Sequence, residues 1–294
     1  MPRSPTHRPA FTLAELFALI VIALAIAMLL LPFLTRRRTT HIRPIKDSTQ
    51  VRGIHQGMIL WAQNNKDVYP LPSALDVDNT TVADQGTAKD TTANIVSIMI
   101  FNGFFSPELC VSPSESNGAI KIFDKYQYSD PSTAAEADKS LALWDPAFPA
   151  DFTGGKQGAF SYAHALPSGD RLPDWYNTFS ATSPVLGNRG PQVASITQGK
   201  RGGLTPVPAI ANSNTLRIHG APTTWEGNIV YNDNHVAYET SMMPPGITFK
   251  DSAATTWSDC VFFDEPNDPT GRNAFLGIFT SAGDNPAAFK SIWD

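Results

Sequence analysis

The chain has 294 residues, of which 42% are hydrophobic and 17% charged, and its net charge is −5. This length supports a globular domain with a sizeable buried core. From Gly53 to Asp294 there are 14 basic and 25 acidic residues, a balance of −11. Because nucleic-acid binding requires a basic face that neutralises phosphates, the composition excludes a nucleic-acid partner.

The first notable segment is an apolar run from Phe11 to Leu34 that contains one carboxylate, Glu15. Its length is that of a helix that crosses a bilayer, and a basic cluster, residues 36–38, follows it. The run is longer than the apolar core of a secretory signal. A plain membrane anchor fits the length but leaves the charge at Glu15 unexplained.

A short motif surrounds this carboxylate. Arg3, His7 and Arg8 precede a small residue, which is followed by Phe-Thr-Leu-Ala-Glu-Leu. The pattern resembles the cleavage motif of type IV prepilins and of the pseudopilins of type II secretion, with Ala10 where Gly is usual. The resemblance implies cleavage between Ala10 and Phe11 by a prepilin peptidase, followed by N-methylation of Phe11. The processing and assembly residues are then Ala10, Phe11, Thr12, Leu13, Glu15 and Leu16.

Cleavage explains why a carboxylate stands at position 15. The new ammonium group of Phe11 can pair with Glu15 of a neighbouring subunit where little water is present. Because an unpaired charge is strongly disfavoured there, the pair would fix the stagger between subunits.

The resemblance also implies partners and a location. The partners are prepilin peptidase, other pilin or pseudopilin subunits, an inner-membrane assembly platform and membrane lipid. The chain is expected to cross the inner membrane once with its body in the periplasm, and to reach an extracellular filament after assembly. A separate ATPase would supply the energy for filament assembly, since the sequence contains no P-loop.

The predicted fold class is α+β: a long N-terminal transmembrane/pilin helix, then a loop-rich globular head with an antiparallel β-sheet. Twenty-four prolines and twenty glycines favour a loop-rich body. The predicted divisions are a leader (1–10), a hydrophobic helix for membrane or filament core (11–35), a basic linker with an amphipathic helix (36–64) and the head (65–294).

Local patterns predict individual elements. After a break at Pro44 and an N-cap at Ser48, residues 48–64 are predicted to form a helix with its apolar stripe on the body. The remaining predicted elements are helices over 92–101 and 130–144, loops over 73–91 and 187–214, a hairpin over 227–240 and a strand over 274–280.

Residues 218–239, "IHGAPTTWEGNIVYNDNHVAYE", resemble the His…Asn…Asp-Gly-His-Val element of large pseudopilin-like families, with Asn234 in place of Gly. His219, Asp233 and His235 are side chains of the types that bind zinc or serve a hydrolase. Near a hairpin turn, however, such residues usually form local hydrogen bonds, so a structural role is favoured.

An oxygen-rich loop is the other candidate site. Asp264, Asp268 and Asp284 could bind calcium, since hard oxygen ligands suit this ion and some pseudopilins hold calcium in a C-terminal loop. The alternative is a solvated turn. No other cofactor is expected. Cys110 and Cys260 could form a disulfide, although two buried free thiols are favoured.

The sequence therefore predicts a filament subunit rather than an enzyme. The alternative is a membrane-anchored extracytoplasmic binding module, lectin-like, that does not polymerise and could use Trp175, Tyr176 or Trp225. A third class is a secreted hydrolase that would depend on His219 or His235. A serine hydrolase that uses Ser161 or Ser168 with His164 is not favoured, because no Gly-x-Ser-x-Gly elbow surrounds these serines.

Overall fold

The computed structural model describes residues 13–198, 204–220 and 223–294. The described residues divide into two compact units, one up to Ile45 and one from Lys46 onward. The second unit is called the body below. The helices are α1 (Leu13–Asn64), α2 (Pro72–Leu75) and α3 (Thr92–Phe101). Short 3₁₀ turns cover Gly86–Lys89, Pro107–Cys110, Lys139–Leu141, Gly169–Asp174, Asn214–Arg217 and Pro286–Ala288.

In the part of the chain that the structure describes, the strands all lie after residue 160. They are β1 (Tyr162–Ala165), β2 (Pro184–Asn188), β3 (Val193–Gln198), β4 (Leu204–Pro208), β5 (Gly227–Tyr231), β6 (Val236–Glu239), β7 (Thr248–Lys250), β8 (Thr256–Ser258), β9 (Leu276–Gly277), β10 (Phe279–Ser281) and β11 (Lys290–Ser291).

The predicted membrane span is wrong. Within the described residues, no helix combines the length and the apolar character that crossing a bilayer requires. The fold class with a transmembrane pilin helix is corrected accordingly: the body is rich in sheet and, apart from the end of α1, has only short helices. The predicted single-pass location in the inner membrane, with the head in the periplasm, is overturned by the same finding. The membrane anchor of the alternative binding module is overturned with it.

The end of α1 packs into the body as its apolar spacing predicts. Val51, Ile54, Met58 and Trp61 are all buried in one core cluster. The predicted break at Pro44 and the helix start at Ser48 are wrong, because α1 continues through both positions. A proline removes one backbone donor, which alone does not end a helix whose following turns are held by buried side chains.

A five-stranded antiparallel sheet in the order β6-β5-β2-β1-β9 organises the body. Both of its faces are covered. Val230 of β5 lies in the core cluster that contains the α1 stripe, whereas its neighbours Ile229 and Tyr231 lie in a second cluster with Trp225. Because successive strand residues point to opposite faces, β5 is buried along its whole length.

Four other local predictions have different outcomes. The helix over 92–101 is confirmed as α3, and the hairpin over 227–240 is confirmed as β5–β6, with Asn234 in the left-handed region at φ 67°. The helix over 130–144 is wrong, because that segment holds only the 3₁₀ turn Lys139–Leu141. The loop over 187–214 is also wrong in part, since β3 and β4 pair there as an antiparallel hairpin.

The cysteine and tryptophan interpretations can also be assessed. Cys110 and Cys260 are both buried and unpaired. Trp175 and Trp225 are core residues, each 2% exposed, and their indole nitrogens donate to the backbone carbonyls of Pro70 and Arg189. These two tryptophans therefore do not present a binding surface.

Candidate functional site

A buried carboxylate on α1, Asp47, is the main polar centre of the body. Its Oδ1 accepts hydrogen bonds from the hydroxyls of Ser112 and Tyr162, and its Oδ2 accepts one from Asn228 Nδ2 at 2.8 Å. The Nε2 atom of His219 lies 2.7 Å from the same Oδ2. These five residues are called the Asp47 centre. They come from a helix, two loops and two strands that are far apart in the sequence.

The Asp47 centre favours a charged carboxylate. Burial acts to raise the pKa of Asp47, but the hydrogen bonds of His219 and Ser112 outweigh it and lower the pKa below its ordinary value. The side chains of Asp47 and His219 are 0% and 2% exposed. Every oxygen of the buried carboxylate is thus satisfied by donors, which is the condition for keeping a charge in a core.

His55, two turns further along α1, forms a second polar contact with the sheet. Its Nδ1 lies 3.0 Å from Asn234 Oδ1, and its Nε2 lies 2.9 Å from the hydroxyl of Tyr69. That hydroxyl donates to Asn232 Oδ1 at 2.6 Å. Burial lowers the pKa of His55 to about 4, so the imidazole is neutral at physiological pH.

The two contacts give the 218–239 element a structural role. His219 and Asn228 contact Asp47, Asn234 contacts His55, and Asn232 contacts Tyr69. Polar residues of this element therefore fix the part of α1 that belongs to the body. The buried side chains of Asp47 and His219 are closed off from solvent. The arrangement positions a helix and offers a substrate no access to the carboxylate.

The three residues predicted from this element do not form one site. His219 contacts Asp47, whereas Asp233 and His235 contact each other at the hairpin turn, with Nδ1 2.5 Å from Oδ1 and both side chains about half exposed. His235 also stacks on Tyr231. The backbone N–H of His235 donates to Asp233, and this bond is the main reason that the pKa of Asp233 is lowered. These are local turn interactions, as favoured from the sequence.

The predicted calcium ligands have separate partners. Asp264 accepts from Arg171, Asp268 accepts from Thr270 and from the backbone N–H groups of Arg272 and Asn273, and Asp284 accepts from Thr87. In residues 13–198, 204–220 and 223–294, no group of three or more His, Cys, Asp or Glu side chains is placed to hold a metal ion. The calcium site stays a prediction from sequence.

The serine hydrolase interpretation gains no geometric support. His164 is buried, with its Nε2 2.7 Å from Thr92 Oγ1 and its Nδ1 2.8 Å from the carbonyl of Ala165. Burial lowers the pKa of His164 to about 4. Both nitrogens therefore face groups other than Ser161 and Ser168.

The processing motif is only partly described. Ala10, Phe11 and Thr12 lie outside the described residues. The helix α1 begins at Leu13 and includes Glu15, and Leu16 is the first motif residue whose side chain is described; it is exposed.

Asp47 was not predicted as a site residue, although the sequence contains a signal. It is the one acidic residue within the basic stretch 36–52. It also stands four residues before Val51 and seven before Ile54, which places it on the buried stripe of α1. A carboxylate at a core position of an otherwise apolar stripe indicates that buried polar side chains form hydrogen bonds with it.

Comparison of the chain with protein-family models, with curated proteins and with solved structures found no match.

Proposed function

We propose that this chain is a prepilin-like structural subunit of a type II secretion or type IV pilus-like filament, matured by a prepilin peptidase and assembled through the N-terminal part of α1. The proposal rests on the Ala10–Leu16 motif in the sequence and on the apolar surface that follows it. Neither the Asp47 centre nor the hairpin turn offers a catalytic arrangement that would favour an enzyme.

The observation that carries the proposal is a run of exposed apolar side chains on α1. Seven large hydrophobic residues are between 50% and 70% exposed: Leu16, Phe17, Leu19, Ile20, Val21, Ile22 and Leu24. Their positions cover all sides of the helix, and a helix that is apolar all round requires burial on all sides. Packing among the same helices of several copies would provide that burial.

The second supporting feature is the position of Glu15 in the sequence. Cleavage before Phe11 creates an ammonium group four residues away from this carboxylate, about one helical turn. Between adjacent copies, the Phe11 ammonium and Glu15 can pair inside the apolar bundle, and any other stagger leaves both charges unpaired. The pair therefore selects one register of assembly.

Ile20→Asp is expected to abolish assembly or to raise the protein concentration that it requires by at least about tenfold. An unpaired aspartate buried among apolar helices costs several kcal/mol, and each 1.4 kcal/mol corresponds to a factor of ten. Sedimentation of the processed chain over a concentration series, with electron microscopy of the pellet, measures this.

The matched control is Ile122→Asp, which places the same charge at an exposed isoleucine of the body. It should assemble like the parent chain. Equal assembly of the Ile20→Asp chain and the control would overturn the proposal, as would a parent chain that stays monomeric after processing.

A further inference from the structure

An aromatic cleft of about 300 Å³ lies in the body, away from the Asp47 centre. Strand β3 forms one wall and the β7–β8 hairpin another, while residues 263–267 close a third side. Its main lining residues are Ile196, Phe249, Trp257, Phe263, Glu265 and Asn267. A cleft of this size is large enough for a small organic molecule.

Two of the aromatic rings belong to one strand pair. Phe249 of β7 and Trp257 of β8 are directly opposite each other, so their side chains stand on the same face of the hairpin. The indole Nε1 of Trp257 donates to Asp251 Oδ2 at 2.8 Å, which fixes the orientation of this partly exposed ring. Together with Phe263, these residues give the cleft three aromatic side chains.

The remaining important residue is Glu265, which lines the same cleft and is only 8% exposed. Burial and the neighbouring carboxylates, first Asp259 and then Asp264 and Asp268, raise the pKa of Glu265 to about 7. Arg171 is engaged with Asp264 and Asn273. A cation in the cleft would relieve the repulsion among these carboxylates.

We propose that this cleft binds a small organic cation that carries a methylated ammonium group. Aromatic faces attract cations, and methyl groups spread the charge over an apolar surface that suits rings such as Trp257 and Phe249. Glu265 supplies the opposite charge at the same cleft, and the body around it is acidic overall. The proposal is independent of the filament function.

Titration of the full chain with choline at pH 8, where Glu265 is ionised, tests the charge requirement. Isothermal calorimetry or NMR shifts of the Trp257 indole measure binding. The control ligand is 3,3-dimethyl-1-butanol, which has the shape of choline without its charge. Saturable binding of choline with little or no binding of the neutral alcohol supports the proposal. Equal binding of both, or binding of neither, overturns it.

Variants locate the binding. Glu265→Gln and Trp257→Leu should each weaken choline binding by about two- to thirty-fold, the range expected for one cation–aromatic or charge contact. Asp264→Asn removes a charge from the same loop, where the side chain is half exposed and paired with Arg171, and should change binding less than about twofold. A loss in Asp264→Asn equal to that in Glu265→Gln would overturn the assignment. Circular dichroism of each variant checks the fold, and Glu265→Gln keeps the side-chain shape should Trp257→Leu unfold.

Discussion

Replacing Asp47 with alanine is expected to lower the free energy of unfolding of the chain by about 3–5 kcal/mol. The substitution leaves four buried groups, those of Ser112, Tyr162, His219 and Asn228, without their common acceptor. A buried donor that loses its partner keeps its full desolvation cost. Unfolding in urea, followed by tryptophan fluorescence and circular dichroism, measures the effect.

The control for this experiment is Glu108→Ala, which removes an exposed carboxylate from the body. Its urea midpoint should stay close to that of the parent chain, because exposed carboxylates contribute little to stability. If Asp47→Ala shifted the midpoint no more than Glu108→Ala does, the Asp47 centre would not stabilise the body as described.

Asp259 is expected to make the fold less stable as the pH rises. Burial raises its pKa from 3.8 to about 7, against the backbone N–H of Ala274, which lowers it. The folded state therefore holds a proton that the unfolded chain releases. The stabilisation from this proton is complete below about pH 4 and is lost as the pH rises to about 7, up to about 4 kcal/mol for a shift of this size.

Asp259→Asn imitates the protonated carboxyl and should remove this dependence. The difference in free energy of unfolding between the variant and the parent is expected to grow by about 2–4 kcal/mol in favour of the variant from pH 4 to pH 8. Urea titrations at each pH measure it, with both proteins carrying Glu265→Gln so that the interaction between the two carboxyls does not enter the difference. Parallel stability profiles of the two proteins would show that Asp259 ionises in the folded state as it does in an unfolded chain.

Local sequence patterns correctly predicted those secondary-structure elements that neighbouring residues determine. The spacing of Val51, Ile54, Met58 and Trp61 indicated a buried helix face, and the alternation around Asn234 indicated a hairpin. The β3–β4 hairpin was missed because its proline, threonine and glycine content resembles that of a loop. Its pairing depends on cross-strand contacts, such as that between Ser195 and Val207, rather than on propensity.

The membrane span was predicted from the length and apolar content of residues 11–34, and it is overturned because no described helix combines the length and apolar character that a bilayer requires. The partners of Asp47 could not be predicted from the sequence for another reason. The partners Tyr162, His219 and Asn228 lie 115 to 181 residues from Asp47, so only the folded chain shows which donors meet this carboxylate. His219 was singled out from the sequence, but its partner could not be named.

The most direct test of the filament proposal is the identity of the mature N-terminus. Intact-mass and peptide mass spectrometry of the chain, isolated from cells that produce it together with a prepilin peptidase, would determine it. We expect the chain to begin at an N-methylated Phe11 and to be recovered in assemblies of many copies. A chain that keeps residues 1–10 and is recovered only as single copies would contradict the account.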